Sequence, residues 1–425
     1  MQPMLTALRG AVAGLSILLA ATVLLAARPS AADATKKSAA EPGGPVEGGR
    51  YKVHVLTVGQ GDDLFARFGH IGVVVDDRER KTRKVFNFGT FDFENPALRI
   101  KYARGYLIYW LSIASYRGII GFYQYDNRDV MMRTLALTPA QAEQIATRLE
   151  INARPENREY QYRHYLDNCC TRIRDLIDSA AGGAIRKGRD EKPTGRTYRD
   201  WTRRALEGMP IYSAVILYSL GPAIDKPITR WDEEFLPSVL SEDLDATRLP
   251  PDGRKLVESS RVVLTRRGLT VGSEIATLDV VVIAAVVVVL AFGLLVPLFV
   301  RRRGLANRAL GVGLASYGLV AGLGGLMLVL YWTVTSHTDT HYNENLLVTP
   351  VTHLWLLGPG LKLLFTGRLG ARTRRFLELY AAAALGVVLL DLALKLGPFI
   401  QDNTGVIAFA AFADAALLTG LRRCR

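Results

Sequence analysis

HIGVVVDDRERKTRKVFNFGTFDF, residues 70–93, decides how the first half of the chain folds. Two apolar runs, HIGVVVDD and KVFNFGTFDF, are rich in β-branched and aromatic residues, and the charged DDRERKTR between them reads as a turn, which predicts a hairpin. YKVHVLTVG at 51–59 reads as a strand before it. Further on, TPAQAEQIATRLEINAR at 138–154 has the marks of a helix: Thr138 at the cap, Pro139 in the first helical position and apolar residues at three-to-four spacing. CCTRIRDLIDSAAGG at 169–183 reads as another helix, stopped by Gly182 and Gly183. Helices combined with a small antiparallel sheet make residues 50–270 an α+β domain.

The rest of the chain has a different composition. Five stretches, roughly 277–300, 308–334, 346–365, 376–397 and 404–421, meet the requirement of about 20 mainly apolar residues for a membrane-crossing helix, so 277–421 is predicted to be an all-α bundle. Residues 1–34 carry Arg9, an apolar run from Ala11 to Ala27 and small residues around Ser30, Ala32 and Ala34, the layout of a signal peptide or N-terminal anchor. Residues 35–49 read as a flexible linker. The arginine clusters flank the spans so that all fall on one side of the membrane only if the 50–270 domain lies on the other, which agrees with export.

The net charge of +13 therefore reports membrane orientation, since RRR at 301–303, RTRR at 372–375 and RRCR at the end abut apolar spans; no nucleic-acid module is evident. Three cysteines, two of them adjacent, exclude a disulfide scaffold, and with no second Cys pair a zinc set is not expected; no cofactor is implied. Asp391, Lys395 and Asp414 lie in or near spans, where ionisable groups are costly. Asp391 and Lys395, four apart on one helical face, are expected to pair, with a direct substrate role as the alternative.

Two places carry chemistry. Phe68-Gly69-His70 enters a strand, and Asp167-Asn168-Cys169-Cys170-Thr171-Arg172 enters a helix. A cysteine is nucleophilic as thiolate, which a helix N-terminus favours and a neighbouring imidazole completes. His70 is the best base by context, because the preceding glycine permits close backbone approach. On these residues alone, a packing role for each, or a redox or metal role for the vicinal pair, stays open.

The ordered runs LTVGQGDDLFARFGHIGVVV, FNFGTFDFENP, ARGYLIYWLS, YDNRDV and NARPENREYQYRHYLDNCCTRIRD resemble the exported domain of the Lnb-type family. The similarity continues through ITRWDEEFLPSVL and, more weakly, into SHTDTHYNENLL and the region of Gln401 and Asn403. The resemblance implies a permuted papain-like (NlpC-like) fold, with the histidine ahead of the cysteine, and a link to N-acylation of bacterial lipoproteins. It carries the nucleophile onto Cys169 and the base onto His70; cysteine stands at 170 where the family usually has serine. It also requires a polar group to orient the imidazole from the following strand, for which Asn87 is the first choice and Asp92 the second.

The expected activity is thus acyl transfer from a phospholipid, through a cysteine thioester, to a lipoprotein N-terminal amine, in a multi-pass protein of the bacterial inner membrane. Expected substrate-binding residues are Arg172 and Arg174, with salt bridges to Asp175 or Asp178 as the alternative, together with Asn168 and the outer-loop residues His337 and Asn343. Tyr109, in the aromatic run at 102–125, is expected to line an acyl groove or the interface unless it is ordinary core. Two rivals remain at this point: a cysteine peptidase or amidase acting on cell-wall peptide, and a non-enzymatic envelope sensor or assembly factor.

Overall fold

A computed structural model describes residues 49–92 and 96–423; the signal segment, the linker up to residue 48 and Cys424 lie outside the described residues. The described chain divides into two compact units, one holding residues 49–206 and 227–273 and the other Glu207–Lys226 and 274–423.

The first unit is built on a seven-stranded antiparallel sheet in the order β6-β4-β3-β2-β1-β5-β7. Its strands are β1 (Tyr51–Val58), β2 (His70–Asp77), β3 (Thr82–Thr90), β4 (Ile108–Ser115), β5 (Val130–Leu135), β6 (Glu159–Gln161) and β7 (Val257–Leu264). The expected hairpin is β2–β3, in register Val73↔Phe86 and Asp77↔Thr82. The sheet is larger than the sequence suggested. The aromatic run supplies β4 and then a helix, capped by the Ser115 hydroxyl, which accepts from the Gly118 amide.

The helices are α1 (Pro96–Ala103), α2 (Tyr116–Tyr125), α3 (Pro139–Asn152), α4 (Cys169–Ala180), α5 (Tyr198–Ala205), α6 (Pro210–Ser219), α7 (Arg230–Glu233) and α8 (Pro237–Ala246). Thr138 caps α3 as its sequence predicts, and the structure adds Gln141 as its partner in a capping box. Period-two alternation sends Ile71, Val73, Phe86 and Phe88 to one face of the sheet, where they pack with Ile145 and Leu149 of α3 and Ile173 and Ile177 of α4. Val74 and Val85 face the other way, against Tyr123 of α2. Each fully buried aliphatic side chain contributes roughly 1.5–3 kcal/mol, so α4 is clamped to β2 along its length.

The second unit contains five apolar spans: α9 (Thr277–Phe299), α10 (Arg303–Val334), a broken span Asn345–Thr366, α13 (Ala371–Leu394) and α14 (Thr404–Arg423). The broken span consists of α11 (Asn345–Val348), a 3-10 stretch Val351–Leu356 and α12 (Leu357–Thr366). Helix α6, which the sequence placed in the exported domain, groups with these spans. The Tyr218 hydroxyl bonds Thr349 at 2.6 Å, and its ring lies where a side chain on Gly324 would stand.

Packing among the spans relies on missing side chains. Gly318, Gly322 and Gly325 lie on one face of α10, and a Cβ on Gly318 would stand 2.8 Å from the His353 carbonyl oxygen and from the Leu356 side chain. Small residues allow this approach where lipid provides no hydrophobic drive between helices. Trp332 and Tyr342 are exposed with ring centroids 5.3 Å apart, as aromatic side chains at a membrane interface would be. Asp391 and Lys395 do not pair as expected: the Lys395 ammonium reaches the Glu344 carboxylate and the Gln401 carbonyl oxygen instead.

Gly318→Val is expected to lower the thermal midpoint of the detergent-solubilised protein, since overpacking costs about 1–3 kcal/mol. Gly386→Ala, at a position with open space, is the matched control. Equal midpoints for the two variants would contradict the close packing of α10.

Candidate active site

Helix α4 begins where it does because Asn168 caps it. Its Oδ1 accepts from the amides of Cys170 (2.8 Å) and Thr171 (3.0 Å), while the Thr171 hydroxyl oxygen accepts from the Asn168 amide at 2.8 Å. The Asn168 Nδ2 donates to the carbonyls of His164 (2.8 Å) and Phe235 (2.9 Å). Every donor and acceptor of this side chain is engaged, so Asn168 positions the helix and is not the substrate ligand the sequence reading made it. Cys169 is thereby the first helical residue, at the positive end of the helix dipole.

The Cys169 thiol meets β2 at its first two residues, where the His70 ring and the Ile71 backbone N–H both favour its thiolate form. Gly69 makes this meeting possible. Its φ of +78° is a left-handed conformation, and a Cβ there would press to 2.9 Å on the Val58 carbonyl oxygen. Of the three histidines in this unit, His54 is tied to Thr134 and Asp76, and burial lowers the pKa of His164 to about 4. His70 alone is joined to the thiol.

The two cysteines are electrostatically unequal. Cys170, whose sulfur lies 4.0 Å from that of Cys169, donates toward it and holds the Cys169 thiol well below the ordinary thiol range, with His70 and the Ile71 amide acting in the same direction against burial. Burial pushes the Cys170 thiol well up, and the neighbouring Cys169 adds to this.

Asn87 lies across from Gly72, two residues beyond His70 on the same face of β2. A Cβ on Gly72 would stand 2.8 Å from the Asn87 Oδ1, so the glycine makes room for the amide. That oxygen is buried and has no hydrogen-bond partner. Asp92 instead lines a shallow pocket with Phe91, Leu98, Tyr102 and Tyr106, away from this register.

A second wall went unseen in the sequence. Gly89, Tyr160 and Tyr162 lie beside Cys169: a Cβ on Gly89 would lie 3.8 Å from the Cys169 Cβ, 3.8 Å from the Tyr162 ring and 4.0 Å from the Tyr160 hydroxyl. The Tyr160 oxygen sits beside the Gly89 amide and its proton is uncommitted. Burial, and then the charge on Cys169, raise its pKa, which keeps it a donor. The Arg172 guanidinium stacks 3.7 Å above the Tyr160 ring and is held by Asp167 through two bonds of 2.6 and 2.8 Å. Arg172 therefore pairs with Asp167, not with Asp175 or Asp178. A groove of about 480 Å³ runs beside α4, lined by Phe88, Arg148, Leu166, Thr171, Arg172 and Leu176.

Several predicted substrate residues do other work. Arg174 is buried, donating to the Trp231 carbonyl at 2.7 Å and pairing with Asp175, so it fixes α7 against α4. Tyr109 is core, stacked 4.3 Å from Tyr162. Asn343 donates to the carbonyls of Tyr218 and Ser219 and accepts from Asn345 and Gln401, which leaves nothing for a ligand. His337 lies edge-on to Tyr331 in the second unit. Alternation in EYQYRHY was the only sequence signal for the Tyr160/Tyr162 wall, and three residues of strand are too short to stand out.

Alkylation of the full-length protein by iodoacetamide is expected to fall on Cys169, with a pH profile below that of an ordinary thiol. Cys170→Ala and His70→Ala should each move the profile upward, because each removes a group that favours the thiolate. A profile unmoved by both substitutions, or labelling at Cys170 first, would contradict the asymmetry.

Residues 49–204 match the family described as the Lnb N-terminal periplasmic domain. No curated protein and no solved structure matches the chain. The match ends at residue 204, short of the five apolar spans. The chain is a multi-pass membrane protein whose residues 49–204, which bear Cys169 and His70, match the periplasmic domain of the Lnb-type family.

Proposed function

We propose that this protein is a thiol acyltransferase of the bacterial inner membrane, moving an acyl chain from a phospholipid to the N-terminal amine of a lipoprotein. The observation that carries the reading is the Cys169 thiol at a capped helix N-terminus, held well below the ordinary thiol range by Cys170, the His70 ring and the Ile71 amide. The order of the two residues, histidine entering a strand and cysteine opening a later helix, supports a permuted papain-like thiol domain.

In the first half-reaction His70 takes the thiol proton and the Cys169 sulfur attacks the ester carbonyl. Charge develops on the carbonyl oxygen, where the Cys169 amide and the Tyr160 hydroxyl are the available donors. Collapse expels the lysophospholipid alkoxide, which takes the proton from His70 and leaves a thioester. In the second half-reaction the neutral amine attacks that thioester, His70 receives the amine proton, and the thiolate departs as the amide forms. The net result is an ester exchanged for an amide, with ping-pong kinetics. Asn87, whose buried Oδ1 has no partner and lies across from Gly72, is the group that would accept from the imidazole and orient it in the reacting complex; Arg172 holds Tyr160 and does not itself touch the reacting atoms.

Mass spectrometry of lipoprotein N-termini from cells carrying Cys169→Ala or His70→Ala is expected to show loss of the N-acyl group, with a hydroxylamine-sensitive acyl adduct on Cys169 in the wild type. Unchanged acylation in both variants would remove the hypothesis. Tyr160→Phe should lower kcat by about 10²–10³, the usual cost of one oxyanion donor. Gly72→Ala should reproduce the defect of Asn87→Ala, and the double variant should be no worse than either, since one displaces what the other removes. Additive losses would mean that Gly72 acts by another route.

A further inference from the structure

The outer end of the second unit is a polar knot whose members satisfy one another. Glu344 accepts from the amides of Ile400 and Gln401 and from Lys395; the Gln401 Oε1 accepts from the Glu344 amide; Asn345 accepts from the Asn403 Nδ2 at 2.9 Å. Asp391 is the exception. It is fully buried, and neither carboxylate oxygen has a hydrogen-bond partner; the Oδ1 of Asn403 is likewise buried and unpartnered.

These acceptors lie in one layer. Val348, Val388 and Ile407 pack together on α11, α13 and α14. One helical turn outward from those three positions stand Asn345, Asp391 and Asn403, because α13 runs outward while α11 and α14 run inward. The charged groups acting on Asp391 are Lys395, already held by Glu344, and Glu344 itself. Three buried acceptor oxygens, two on Asp391 and one on Asn403, thus belong to this layer without a hydrogen-bond donor, a set of groups suited to an ammonium ion. The neighbouring Leu390, Leu392 and Ile400 are exposed, so the helix carrying the buried acid presents apolar side chains on its outer surface.

We propose that Asp391 and Asn403 bind the primary ammonium group of a lipidic substrate. The identification as a substrate rests on the acyl-transfer reading; the binding does not. Two sources share this chemistry, the free α-amine of a diacylglyceryl-cysteinyl peptide and an ethanolamine head group.

The test uses the full-length protein carrying Cys169→Ala, so that turnover plays no part, in phosphatidylglycerol nanodiscs. Its affinity for a synthetic diacylglyceryl-cysteinyl peptide is compared with that for the N-acetylated peptide, and with the effect of adding phosphatidylethanolamine. If the peptide amine is the ligand, acetylation weakens binding at least tenfold, the free-amine affinity falls as pH rises through the amine pKa of about 8, and Asp391→Asn removes the difference. If the head group is the ligand, phosphatidylethanolamine is enriched around the protein and Asp391→Asn abolishes that enrichment. Indifference of the unsubstituted acid to acetylation and to phosphatidylethanolamine alike would overturn the proposal without reference to any variant. A positive result with no acyl transfer in cells would instead sink the catalytic reading and leave the site.

Discussion

One side-chain amide, that of Asn168, sets the geometry on which the periplasmic site depends. By capping α4 it fixes which residue is first in the helix, and by donating to the carbonyls of His164 and Phe235 it ties that helix start to two separate stretches of chain. The thiol of Cys169 is then presented to β2 from a position with little freedom, since α4 is buried along Ile173 and Ile177. The strand must bring its first residue close enough to answer, and Gly69 supplies the backbone path. A contact of this kind is spoiled by displacements of about an ångström, so the surrounding packing belongs to the site.

The membrane unit meets a different constraint. Hydrocarbon offers no hydrogen bonds, so polar groups at its edge must satisfy one another. The knot of Asn343, Glu344, Asn345 and Gln401 does this and draws α6 in with it through the carbonyls of Tyr218 and Ser219. The glycines of α10 remove side chains where the broken span crosses, which lets the backbone of Thr349 to Leu357 lie against the helix. Order at the outer end and close approach within the bundle are therefore two parts of one solution. A self-satisfied knot also sets apart the unsatisfied acid at its border.

Much of this was legible in the chain. The hairpin, the cap of α3, the glycine stop after α4 and the five spans each leave a local signature: alternation, a residue at a fixed offset, or a long apolar run. The remaining strands do not. β7 forms at an edge from VESSRVVL, whose exposed residues blur the alternation, and β4 lies in a run so aromatic that both faces read as apolar. Helix α6 looked like part of the soluble domain because a ten-residue apolar helix carries no sign of which unit will bury it. At the site, Cys169 and His70 stood out by residue type and context. Whether Asn168 and Arg174 bind substrate or hold the fold was not readable, because both uses call for the same donors. Only their partners, the Phe235 and Trp231 carbonyls far along the chain, distinguish the two.

The vicinal cysteines show why position outweighs residue type. Both sulfurs belong to the first turn of one helix, so the dipole favours each of them to a similar degree. What separates them is direction. Cys169 turns to the end of β2, where an imidazole and a backbone N–H await it, while Cys170 turns into the core and is fully buried. An anion on Cys170 would have to be desolvated without compensation, whereas an anion on Cys169 is stabilised by three donors, one of them Cys170 itself. A serine at 170 would also donate toward Cys169, so the second thiol works here as a hydrogen-bond donor of modest strength.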